Sequence, residues 1–116
     1  MRIAIQGTRL EITAALREYA ERKFGSLARF LKRFEANGEQ TVFVELARAT
    51  RHHKRGDVYY AEAVLAVPGA TLRAECEADD VRVAIDRVRD TLKSAITAYK
   101  GVRDSRTKQK SSRRQK

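Results

Sequence analysis

Apolar and polar positions change period along the chain and lay out six elements. From Arg2 to Gln6 the pattern alternates, with Ile3 and Ile5 on one face, which predicts a short strand. Residues 7–11 read as a connection. Thr13 stands where a helix N-cap belongs, with Ile12 before it as a hydrophobic staple. Leu16, Tyr19, Ala20, Phe24, Leu27, Leu31 and Phe34 then recur at helical spacing. They predict one amphipathic helix of about 20 residues, roughly 30 Å long. Gly25 lies inside it and costs up to about 1 kcal/mol relative to alanine, which the packed face must offset.

Asn37-Gly38 signals a turn, and period two returns after it. Val42, Val44 and Leu46 share a face over Thr41–Ala47. Tyr59, Ala61, Ala63 and Leu65 do so over Val58–Val67, and Leu72, Ala74 and Cys76 over Thr71–Glu77. Pro68-Gly69 suits the centre of a type II turn, because proline presets φ and glycine accepts a positive φ. Three strands with short connections predict an antiparallel meander. Asp79 and Asp80 open a second helix, where one caps and both face the positive end of the helix dipole. Val81, Ile85, Val88, Leu92, Ala95, Ile96 and Tyr99 form its apolar stripe, and Gly101 is expected to end it. The order is β-α-β-β-β-α. The fold class is α+β: a four-stranded sheet with both helices on one face, since each helix has a single apolar stripe to cover.

Length and charge narrow this picture. The chain has 116 residues, enough for one domain with one modest core. Its 25 Lys and Arg outweigh 15 Asp and Glu, for a net charge of +10. Of that excess, +6 falls in residues 102–116 and +4 in residues 1–101. The C-terminal stretch has one apolar residue, Val102, so it is expected to be a disordered basic tail following a domain at 1–101. Cys76 is the sole cysteine, which excludes an internal disulfide and fits a reducing compartment. No apolar run approaches a membrane span, and the N-terminus lacks the apolar core of a secretory signal. The expectation is a cytoplasmic protein, away from membranes, with a polyanionic partner.

Catalytic chemistry finds no constellation. There is no phosphate-binding glycine loop. His52-His53 are the only histidines, and with Cys76 on another strand they make too few ligands for a metal. No cofactor, metal or small-molecule substrate is expected, and the chain does not read as an enzyme. The basic residues do organise. Arg22, Arg29 and Arg33 share a stripe on the first helix, with Lys23 at the edge of its apolar face. Arg82, Arg89, Lys93 and Lys100 share one on the second. The loop after the second strand adds Arg48, Arg51, Lys54 and Arg55. A continuous basic surface of this kind grips phosphates by counterion release, without reading bases.

Several segments together resemble the ribosome hibernation-promoting factor family, also called ribosome-associated inhibitors or sigma-54 modulation proteins. They are Leu10-Glu-Ile-Thr13 with Leu16-Arg17, Tyr19, Arg22-Lys23-Phe24 and Leu27; Val67-Pro-Gly69 with Leu72-Arg-Ala-Glu75; and Glu77-Ala-Asp-Asp80 with Ala84-Ile-Asp86, Leu92 and Tyr99-Lys100. The resemblance covers residues 1 to about 101. It implies a fold like a double-stranded-RNA-binding domain. It also implies binding to the small ribosomal subunit in the decoding region, where mRNA and tRNA sit, with inhibition of translation and protection of idle ribosomes under stress.

Contacts in that family run mainly from basic helix residues to the rRNA backbone. Arg22 and Lys23 match its basic pair on the first helix, and Lys100 its basic residue at the end of the second. The expected rRNA-binding set is therefore Arg22, Lys23, Arg29, Arg33, Arg51, Lys54, Arg55, Arg82, Arg87, Arg89, Lys93 and Lys100. Mid-helix basic positions usual in the family fall here on Thr91, Ser94 and Ala98, leaving Arg87 as the one basic residue on that flank. The resemblance further implies a short form without a dimerisation domain, a monomer when free, with a basic tail where some members have an acidic one. The alternatives are a general module for structured RNA and a sigma-factor-binding modulator of transcription.

Overall fold

The computed structural model describes residues 1–49 and 56–114, with side chains left aside at 35–37 and 105–114. Strand β1 (Arg2–Thr8) leads to helix α1 (Ala14–Gly25), a short helix α2 (Ala28–Leu31) and a 3-10 segment (Lys32–Asn37). Strands β2 (Thr41–Arg48), β3 (Tyr59–Val67) and β4 (Ala70–Ala78) follow, and helix α3 (Val81–Arg114) closes the chain. The sheet order is β1-β2-β3-β4. β2, β3 and β4 form the expected antiparallel meander, and β1 lies parallel to β2. A parallel neighbour requires a crossover, and α1 with α2 supplies it. The Pro68-Gly69 turn joins β3 to β4 as anticipated, with Gly69 at φ 78°.

Both helical layers cover the same sheet face. Leu16, Ala20 and Phe24 of α1 and Ile85, Val88, Leu92 and Ile96 of α3 are buried in one cluster with Val42, Val44, Leu46, Ala61, Ala63 and Leu65. Fully burying the phenylalanine, leucine, isoleucine and valine side chains among these contributes about 1.5–3 kcal/mol each. The caps are as the sequence suggested. The Leu16 amide donates to Thr13 Oγ1 at 3.1 Å, and the Arg82 amide donates to Asp80 Oδ1 at 2.8 Å.

Two expectations are corrected. The first helix does not run unbroken to Phe34: it ends at Gly25, turns at Ser26 and Leu27, and resumes as α2 and the 3-10 segment. Gly25 weakens the helix at this point. The ladder departs one residue on: the Ser26 amide still donates to the Arg22 carbonyl, but the Leu27 amide donates to Phe24, three residues back, and the Ser26 hydroxyl takes the Lys23 carbonyl at 2.6 Å. The second helix does not stop at Gly101. It continues as far as Arg114. Extending a helix already docked adds one hydrogen bond per residue without a new nucleus, and Lys, Arg and Gln are good helix formers. Packing onto the core cluster still ends at Tyr99.

Candidate nucleic-acid interface

The break at Ser26 sets how the two helical layers meet. Ser26 Oγ accepts from Arg89 Nε at 3.0 Å while donating to the Lys23 carbonyl, so one hydroxyl ties α3 to the end of α1. One turn away, Tyr19 donates its hydroxyl to Asp86 Oδ1 at 2.6 Å, and Lys23 Nζ lies 3.4 Å from the same oxygen. The hydrogen bond to Asp86 raises the Tyr19 phenol above its ordinary value. Burial and the carboxylate's charge add to this, and Arg82 and Arg22 oppose it. Arg22, Lys23, Ser26, Asp86, Arg89 and Asp90 line a groove of about 470 Å³ between the helices.

Aromatic rings then carry the cations along this seam. Arg22, Lys23 and Arg82 lie 5.5, 5.6 and 5.1 Å from the centre of the Tyr19 ring. Arg29, Lys93 and Lys100 lie 4.7, 5.2 and 6.0 Å from that of Phe30. Arg33 and Arg103 lie 5.1 and 5.9 Å from that of Phe34, whose ring packs against Tyr99. Lys100 Nζ also donates to the Phe30 carbonyl at 3.1 Å, and Arg33 pairs with Asp104 at 3.1 Å. A cation held over a ring keeps N–H groups free to donate outward, and has already lost much of the freedom that binding would cost it. From Arg82 to Lys100 the seam runs about 27 Å along α3.

The basic flank of α3 thus faces α1 and α2. Eight expected residues meet in the seam: Arg22, Lys23, Arg29, Arg33, Arg82, Arg89, Lys93 and Lys100. Arg87 does not join them; it is exposed two residues from Arg89, on the other side of the helix. Arg51, Lys54, Arg55 and the two histidines lie outside the described residues. Cys76 packs partly against the core, as its alternation suggested. Sequence reasoning missed Arg103, which it assigned to the tail, and Phe30, which carries three cations. Periodicity reports a residue's own helix face, and these contacts join positions some 70 residues apart.

This combination of fold and seam can be set beside known proteins. A family model described as Sigma 54 modulation protein / S30EA ribosomal protein matches residues 3–103. The chain belongs to that family. Among S30EA relatives, the ribosome hibernation promoting factor of Salmonella typhimurium is 31% identical over 100 residues, covering 86% of this chain and 94% of that one. The ribosome hibernation promotion factor of Lactococcus lactis is 36% identical over 96 residues. That match covers 83% of this chain and 48% of the Lactococcus protein, so the chain spans about half of that relative's length. The crystal structure of the Thermus thermophilus Protein Y N-terminal domain superposes with a TM-score of 0.69 at 33% identity, covering 85% of this chain and 99% of that domain. The expected four-stranded sheet with its helices on one face is the one observed, and the parallel β1 makes that sheet mixed.

Proposed function

We propose that this protein is a ribosome hibernation factor, acting in the cytoplasm as a non-enzymatic inhibitor of translation. It docks on the small ribosomal subunit in the region that mRNA and tRNA would occupy, and so keeps idle ribosomes inactive and protected under stress. The observation that carries this reading is the seam: eight cations from two helical layers along one surface, seven of them held on aromatic rings. The names of the relatives point the same way.

The seam's chemistry is phosphate-directed. Arg22, Arg29, Arg82 and Lys93 have aromatic partners and no acidic one among the described residues. Their charge is therefore available to a polyanion. Each phosphate they neutralise releases counterions, and the backbone contacts fix register without reading sequence. Selectivity for the ribosome then comes from the shape in which folded rRNA presents its phosphates. Arg51, Lys54, Arg55 and Arg87 belong to the same proposal as further phosphate contacts.

Co-sedimentation tests it. The protein is expected to pellet with small subunits at low salt, and Arg22→Glu with Lys23→Glu is expected to abolish pelleting while leaving the thermal melt intact. Absence of wild-type pelleting contradicts the proposal. Phosphate-directed chemistry also suits a general binder of structured RNA, so equal affinity for an isolated duplex and for small subunits would favour that reading instead.

A further inference from the structure

The face of the sheet away from the helices is of another character. Its side chains stand in cross-strand rows. Ala4, Phe43, Val64 and Arg73 form one row, Gln6, Glu45, Glu62 and Glu75 the next, and Thr8, Ala47, Tyr60 and Glu77 the third. Phe43 is 57% exposed. With Ala4 and Val64 it borders a depression of about 340 Å³ that Glu45 and Glu62 also line.

Three glutamates directly abreast on neighbouring strands repel one another. Their compensation is partial. The Tyr60 hydroxyl lies 2.8 Å from Glu62 and 2.9 Å from Glu75, with one proton for two carboxylates. Arg73 Nε lies 3.5 Å from Glu62, and Thr8 donates to Glu45 at 3.1 Å. A chain of net charge +10 has basic residues in excess, yet these rows hold four glutamates and one arginine. Such a face repels phosphate and attracts cations.

We propose that this sheet face docks a lysine- and arginine-rich protein segment of the particle that the seam engages. The segment's cations pair with Glu45, Glu62 and Glu75, and its aliphatic stems lie across Phe43 and Val64, as long basic side chains cover apolar surface while keeping their heads polar. The protein then has two recognition faces of opposite sign: helices for RNA, sheet for a basic protein. This rests on the ribosome reading above.

The test places p-benzoylphenylalanine at Phe43 in the full chain and irradiates it after sedimentation with small subunits. The expected result is unchanged pelleting with a cross-link to a basic stretch of a subunit protein. Pelleting with cross-links to rRNA, to a second copy of the chain, or to nothing overturns this proposal alone. Failure to pellet overturns the ribosome reading and this proposal with it. Alongside, Glu45→Gln, Glu62→Gln and Glu75→Gln combined are expected to lower affinity for whole subunits about tenfold while leaving affinity for deproteinised rRNA undiminished. Equal affinity of variant and wild type for whole subunits also overturns it. Removing like charges does not unfold the sheet, so a melting temperature no lower than wild type is expected.

Discussion

Asp86 shows how closely acid and base are interleaved in the seam. Its carboxylate holds Tyr19 and Lys23 in place, yet it also puts a negative charge where phosphate is to come. Two unit charges about 4 Å apart in water interact by about 1 kcal/mol. Asp86→Asn keeps an acceptor for the Tyr19 hydroxyl and removes the charge. It is expected to tighten binding to a plain RNA duplex roughly fivefold at low salt, narrowing the preference for ribosomes. Filter binding to both targets measures this. Tyr60 gives a separate prediction on the other face. Burial, then its hydrogen bonds to Glu62 and Glu75, raise the phenol far above the usual 10.0. A group whose folded value is raised stabilises the fold fully below its unfolded value and loses that contribution as pH rises toward the folded one. Stability is therefore expected to fall above about pH 10, and Tyr60→Phe to flatten that fall. Denaturant melts across alkaline pH check it.

Most of the elements are legible in the chain because each buries one face. Period two gives β2, β3 and β4, and the stripe from Val81 to Tyr99 gives the packed part of α3. What the pattern does not carry is contact between elements. The stripe from Leu16 to Phe34 keeps helical spacing across Ser26, so periodicity does not show the break there, and Gly25 is its one hint in the sequence. The basic stripe of α3 is likewise readable, but not the neighbour it faces; that depends on how α3 crosses the sheet. Gly7 is a similar case. It looks like a loop residue, but it lies within β1, and a Cβ there would run into the Leu10 carbonyl and the Ile12 side chain. Gly7→Ala is expected to destabilise the domain by about 1–3 kcal/mol, the usual cost of overpacking, as a urea titration would read.

At the scale of the molecule, charge has direction. A composition of +10 suggests a uniformly basic protein. The structure instead puts the basic seam on one side of the sheet and a row of glutamates on the other. Eight seam cations engaging phosphates predict a loss of about 10³-fold or more in affinity for small subunits between roughly 50 and 200 mM salt. Equilibrium titrations across that range check it, and a flat salt dependence would remove phosphate contact as the source of binding. The seam is proposed to dock where mRNA and tRNA sit. The most direct test is to titrate the labelled full chain onto small subunits that are either empty or already loaded with mRNA and tRNA. Binding is expected to fall in proportion to the fraction of subunits loaded. Equal binding to empty and loaded subunits would contradict it.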